Sequence, residues 1–238
     1  MCRVKICGLC CLGDIEAVNS ALPDYVGFVF APSTRQIATD TAALLTEQLD
    51  RRIRAVGVFV NEEIDVITAI YQHGIIDMVQ LHGDESDSYM RQLRERCAEP
   101  PLLSSAMQKD RDSLPTKLRR DAASCRPPFQ IIKAVGIGTT MPPLPLEPDY
   151  LLFDSLSSQR GGTGKSFDWN IIKGYHGLPY FVAGGLTIDT VQDVIALLAP
   201  FCVDVSSGVA AEGTHPSNPK KDTERIREFI RRVREVPK

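Results

Sequence analysis

Four of the seven cysteines fall within the first eleven residues, MCRVKICGLCC. Cys7 and Cys10 have the Cys-x-x-Cys spacing of a redox dithiol or of half a metal site. A redox pair of this kind belongs beside a small thioredoxin-like βαβ unit, and the rest of the chain does not fit so small a fold. A structural zinc site needs a second Cys or His pair at tight spacing. Cys97 and Cys125 have no such partners, so no metal is expected. A third reading is one working cysteine among bystanders. Cys7 is the candidate, because it ends a strand-like run and is followed by a glycine. Otherwise it is a small buried hydrophobe.

The corresponding ends of other strand-like runs carry Arg35 in APSTRQI, His82 in QLHG, Asp154 in LLFDS, the Gly184–Gly185 pair in VAGGL, and Ser206, Ser207 and Gly208 in VDVSSGV. Glycines let a ligand approach the backbone, whose amides then point at an anion. The alternative is that they only turn tight corners. Arg35 has the planar fork that suits a carboxylate if it points inward, and is a surface charge if it does not. His82 lines the pocket or fills a polar spot on the rim, and no proton-transfer role is assigned to it. The stretch QRGGTGKS (159–166) imitates a phosphate-cradling Walker A loop but has Gln159 where the first glycine is required. It reads as a flexible lid, with Lys165 either reaching an anion or solvated.

These residues need elements to position them. Short β-branched runs at 3–7, 25–30, 53–60, 77–83, 130–137, 149–155, 179–185 and 201–208 read as strands. Helical patterns occupy 11–22, 40–51, 62–73, 85–97, 187–198 and 222–235. Apolar strands alternating with helices imply parallel pairing with both faces covered. Eight such units imply one α/β domain spanning 1–238, a closed (β/α)8 TIM barrel. In that architecture the chemistry sits at the C-terminal ends of the strands, which is where the residues above fall. Residues 98–129, rich in Pro, Ser and charge, read as an insertion between strands four and five with an extra helix at 112–123. Residues 210–221 form an extended loop before the last helix.

Composition narrows the classes. A chain of 238 residues that is 43 % hydrophobic buries a core without disulfide or metal staples. A formal net charge of −3 argues against a nucleic-acid partner. No apolar run approaches the ~20 residues a membrane helix needs. No leader pattern is seen at the N-terminus, and the odd cysteine count suits reduced thiols in a cytoplasm.

Taken together, VKICGL, GFVFAPSTRQI, VGVFVNEE, VQLHGDES, IIKAVGI, GGTGKSFDW, VAGGL, VDVSSGV and KKD resemble the phosphoribosylanthranilate isomerase family along nearly the whole chain apart from the insertion. The resemblance implies a barrel of tryptophan biosynthesis that turns N-(5-phosphoribosyl)anthranilate into 1-(2-carboxyphenylamino)-1-deoxyribulose 5-phosphate. The reaction is an Amadori rearrangement without cofactor. It further implies Cys7 as general base, Asp154 as general acid, Arg35 on the anthranilate carboxylate, and Gly184, Gly185, Ser207 and Gly208 on the phosphate. The partner is then a small phosphosugar, and the assembly a monomer or homodimer. Two residues depart from the family pattern: Cys10, where threonine is frequent, and Ala210, where glutamate usually follows SSGV. Two other readings stay open on the residues alone. One is another phosphosugar isomerase with paired aspartates, and the other is a non-catalytic phosphate-ligand binder.

Overall fold

The computed structural model describes residues 1–99, 128–155, 167–211 and 220–237. Eight parallel strands close into a barrel in sequence order. They are β1 (Arg3–Cys7), β2 (Tyr25–Val29), β3 (Arg54–Phe59), β4 (Met78–Leu81), β5 (Ile131–Ile137), β6 (Tyr150–Ser155), β7 (Tyr180–Val182) and β8 (Cys202–Val205). β1 closes the ring by pairing with β2 on one side and β8 on the other. Helices α1 (Leu12–Ala21), α2 (Thr39–Gln48), α3 (Ile64–Gln72), α4 (Asp87–Ala98), α5 (Val191–Leu198) and α6 (Thr223–Glu235) surround it. The (β/α)8 expectation holds.

The departures have local causes. No helix joins β5 to β6, because the connection MPPLPLEP carries four prolines that cannot donate backbone hydrogen bonds. Between β6 and β7 the described residues hold only a 3₁₀ turn, Trp169–Ile171. The seventh run stops at Val182 because Gly184 and Gly185 take left-handed φ values of 83° and 67°. Of the stretch read as an insertion, Ala98 belongs to α4, and Phe129 is buried edge-on against Tyr71. The helix expected at 112–123 and the QRGGTGKS loop lie outside the described residues.

Two apolar layers hold the ring. The outer one lies between strands and helices. In α6 the residues at i, i+3, i+4 and i+7 (Ile226, Phe229, Ile230 and Val233) are buried against it. Asp222 starts α6 by accepting the Arg225 N–H, and Ser86 caps α4 by accepting the Tyr89 N–H. The inner layer is a floor of inward side chains, among them Tyr25, Val56, Met78, Ile132, Leu152 and Phe181, packed as a cluster of their own. Two residues beyond Met78 and Cys202 of that floor come Gln80 on β4 and Asp204 on β8, both buried and polar, and the buried Lys5 of β1 bonds to both. A two-residue step keeps a side chain on the same face, so the polar layer sits directly above the apolar one.

If the α6 stripe anchors the closing helix, Phe229→Ala should cost about 3–5 kcal/mol of unfolding free energy. Denaturant midpoints at constant slope would read it. A loss below about 1 kcal/mol would mean that the last helix is not part of the cooperative core.

Candidate active site

Cys7 ends β1, and Gly27 stands opposite it on β2. A Cβ on Gly27 would lie 2.7 Å from the Cys7 sulfur, so the neighbouring strand keeps its side chain absent to admit the thiol. Lys5, two residues earlier on the same face, is fully buried. Its ammonium donates to Asp204 Oδ2 at 2.6 Å and to Gln80 Oε1 at 2.9 Å, and its charge acts on the Cys7 thiol two residues along. Burial alone would pull this amine down. The attraction of Asp204, then of Cys7, outweighs burial and holds Lys5 above its ordinary value as a permanent cation.

Cys7 itself is pushed up by burial, and Asp204 adds to that, while Lys5 and Lys221 pull it down. The net direction is upward, so the resting group is a thiol at neutral pH. Lys221 is the second cation. Burial, with Arg35 adding, brings it down to about 8. Its Nζ donates to the Ser206 carbonyl at 2.9 Å, and the Ser206 hydroxyl donates to the Cys7 carbonyl at 2.9 Å. The Lys221 N–H is in turn held by Asp14 Oδ1 at 2.8 Å.

Asp14 also settles the Cys-x-x-Cys spacing. Its Oδ2 accepts the Cys10 N–H at 2.9 Å and lies 3.5 Å from the Cys10 sulfur, while Cys11 occupies the N-cap position of α1. Cys10, Cys11 and Asp14 offer ligand atoms within 4.8 Å of one another, and each Asp14 oxygen accepts a backbone N–H. Asp14 thereby links Cys10 to the backbone of Lys221.

Asp154 is buried at the end of β6. Its Oδ1 accepts the Ser155 N–H at 2.8 Å, and its Oδ2 lies 3.4 Å from His82 Nε2. His82 Nδ1 lies 2.9 Å from Gln80 Nε2, and Gln80 is bonded to Lys5. Thiol and carboxyl therefore share one polar chain, Cys7–Lys5–Gln80–His82–Asp154, at the C-terminal mouth of the barrel.

The remaining expected residues flank this chain. The side chain of Arg35 lies over Gly8, leaving no room for a Cβ there, and among the described residues its buried Nε meets no acceptor. A Cβ on Gly184 would come within 3.0 Å of both Asp154 Oδ1 and the Ser155 N–H, so the turn after β7 presses against the carboxyl. Gly208 abuts the Leu186 carbonyl, which brings the loops carrying Gly184, Gly185, Ser207 and Gly208 together. At the departure Ala210, backbone bonds join the loop stem: Ala210 bridges Lys221, and the Ala211 N–H donates to the Lys220 carbonyl at 2.9 Å.

The sequence reading passed over Lys5, Gln80, Asp204 and Lys221. For the first three a signal existed. Gln80 and Asp204 are each the single polar residue of an otherwise apolar strand, Lys5 is a charge set between Val4 and Ile6, and Lys5 and Gln80 stand two residues before Cys7 and His82. Lys221 had none beyond its place in KKD.

Residues 4–232 match the family model described as N-(5'-phosphoribosyl)anthranilate (PRA) isomerase. The chain belongs to this isomerase family. Curated members include the N-(5'-phosphoribosyl)anthranilate isomerase of Endomicrobium trichonymphae, 37 % identical over 98 % of this chain and 99 % of that one. The Clostridium acetobutylicum protein of the same name is 37 % identical over 98 % of each chain. Among solved structures, the phosphoribosyl anthranilate isomerase of Thermotoga maritima superposes with a TM-score of 0.73 at 31 % identity, covering 98 % of this chain and 99 % of that one. A family structure in complex with reduced 1-(o-carboxyphenylamino)-1-deoxyribulose 5-phosphate gives 0.70 at 29 % identity, with the same coverage.

The charge balance around Cys7 makes a prediction for this isomerase. Its thiol is held above its ordinary value, so the thiolate fraction grows tenfold per pH unit below that point. If Cys7 reacts as its thiolate, the isomerase kcat/KM should climb with pH through the neutral range. Lys221→Gln, which removes a cation that opposes burial, should lower the rate at neutral pH by roughly tenfold and less at alkaline pH. A flat profile in both proteins would mean that Cys7 does not ionise on the path to the rate-limiting step.

Proposed function

We propose that this chain catalyses the Amadori rearrangement of N-(5-phosphoribosyl)anthranilate to 1-(2-carboxyphenylamino)-1-deoxyribulose 5-phosphate in tryptophan biosynthesis, with Asp154 as general acid and Cys7 as general base. The observation that carries this reading is the chain of side chains from Cys7 to Asp154 across one barrel mouth. The furanose ring oxygen must gain a proton to leave C1, and the nitrogen lone pair then forms an iminium at C1. In this reading Asp154 is the donor of that proton. The proton on C2 is next removed by the Cys7 thiolate, giving an enolamine that becomes the C2 ketone. C1 is reduced as C2 is oxidised, so the electrons balance within the substrate and no cofactor takes part.

Two grips would fix the ribose between base and acid. Arg35, beside Cys7 with a buried Nε lacking an acceptor among the described residues, takes the anthranilate carboxylate. Gly184, Gly185, Ser207 and Gly208, on touching loops, take the phosphate in the manner usual after the last two strands of such barrels. We place the protein in the cytoplasm. Among the described residues no helix is long and apolar enough to cross a membrane. A solved Thermotoga maritima relative is described as dimeric, and we take this chain to be a monomer or homodimer.

Cys7→Ser and Asp154→Asn should each lower kcat by roughly 10²–10⁴-fold with KM nearly unchanged, followed by the fluorescence lost as substrate is consumed. Arg35→Met should instead raise KM, because it removes a contact made in ground and transition state alike. Wild-type turnover in either of the first two variants would remove that residue from the mechanism.

A further inference from the structure

Gln80 is buried on the inward face of β4 and has a different neighbour on each side of its amide. Its Oε1 lies 2.9 Å from Lys5 Nζ. An ammonium offers only protons, so the amide oxygen must be the atom that faces it. Turning the amide over would set an NH₂ group against that ammonium. Lys5 is itself anchored by Asp204 Oδ2 at 2.6 Å. The Gln80 NH₂ must therefore face His82, where it lies 2.9 Å from Nδ1. An amide NH₂ donates, so Nδ1 accepts and carries no proton. The proton of the neutral ring is left on Nε2. Nε2 is the ring atom that lies 3.4 Å from Asp154 Oδ2.

We propose that Gln80, oriented by the buried Lys5–Asp204 pair, is a positioning residue that locks His82 in its Nε2–H tautomer and thereby aims an N–H at the Asp154 oxygen that becomes charged during catalysis. This rests on the reading of Asp154 as the general acid. When Asp154 acts, its O–H bond breaks and the proton goes to the ring oxygen. The C1–O bond breaks, and the nitrogen lone pair closes the C1=N bond. The negative charge left behind is shared over the carboxylate. Oδ1 already accepts the Ser155 N–H at 2.8 Å, and His82 Nε2 lies 3.4 Å from Oδ2. A contact of 3.4 Å is long for a hydrogen bond and has room to tighten as substrate fills the site. His82 neither gives nor takes a proton in this scheme; it acts through Asp154. Its orientation is set by Gln80, and that of Gln80 by a lysine on β1.

The deciding experiment is nitrogen-15 NMR of the His82 ring in the resting enzyme, paired with kinetics of Gln80→Glu. Glutamate keeps the shape of the side chain and replaces the donor facing Nδ1 by an acceptor. The wild-type spectrum should place the proton on Nε2 alone. In Gln80→Glu the Nδ1 should become protonated, and kcat should fall on the order of 10–10²-fold while KM stays within about twofold. A wild-type proton on Nδ1, or wild-type kcat in Gln80→Glu, overturns the proposal. Should Gln80→Glu fail to fold, His82→Gln against His82→Ala decides. The glutamine amide can still present an N–H near Asp154, so it should retain roughly tenfold more kcat than alanine, and equal rates in the two overturn the proposal. Full turnover in Asp154→Asn would instead remove the acid role itself and leave the tautomer result standing, so the two failures are distinguishable.

Discussion

A buried ammonium organises this molecule. Lys5 donates to acceptors on two other strands, Asp204 on β8 and Gln80 on β4, and its charge acts on the Cys7 sulfur of its own strand. Taking a cation out of water costs several kcal/mol, and a paired carboxylate offsets that cost only when the geometry is close. Such a group cannot be left half satisfied. Breaking a buried pair by removing one partner typically costs about 3–5 kcal/mol. The requirement to satisfy Lys5 therefore constrains the register of β1 against β8 and the direction of Gln80, and with them the position of everything attached to the layer.

The same ammonium reaches both ends of the chemistry by different routes. Toward Cys7 it acts directly, as a positive charge beside a sulfur that burial keeps neutral. Lys221 supports it from the opposite side through the last loop, tied back by Asp14 at the start of α1. Toward Asp154 it acts through hydrogen-bond polarity, each donor dictating the next acceptor along Gln80 and His82. A charge has its strongest effect in a dry, closed site, whereas donor–acceptor order is transmitted wherever contacts are unbroken. The barrel supplies both conditions at its mouth: an apolar floor below and a continuous polar layer above.

The loops complete the arrangement with little side-chain chemistry. Backbone turns at Gly184 and Gly185 bring the β7 loop against Asp154, and Gly208 brings the β8 loop against the β7 loop. The Ala210 position fits this pattern. The stem of the final loop is closed by main-chain bonds between 210–211 and 220–221, so a carboxylate at 210 is not required to hold Lys221 in place.

Much of this was determined by the chain before it folds. Apolar periodicity named the eight strands and the closed barrel, because a parallel strand buried on both faces must read as a continuous apolar run. Position at strand ends, and then the family motifs, singled out Cys7, Arg35, Asp154 and the glycine loops as candidates. Strand ends were read too long at Gly184–Gly185, where a left-handed turn leaves no trace in hydropathy, and after Val205, where a 3₁₀ turn at Ser207–Val209 takes over. Only the tertiary structure decided what surrounds these groups. Lys5, Gln80, Asp204 and Lys221 come from four distant parts of the chain, and no local spacing links them. Their meeting is a product of ring closure, which sets β1 beside β8 and turns inward residues from opposite sides toward one another. Sequence specifies which residue types are available at each strand end. The charge state of a thiol and the tautomer of an imidazole depend on neighbours that only the closed barrel brings within hydrogen-bonding distance.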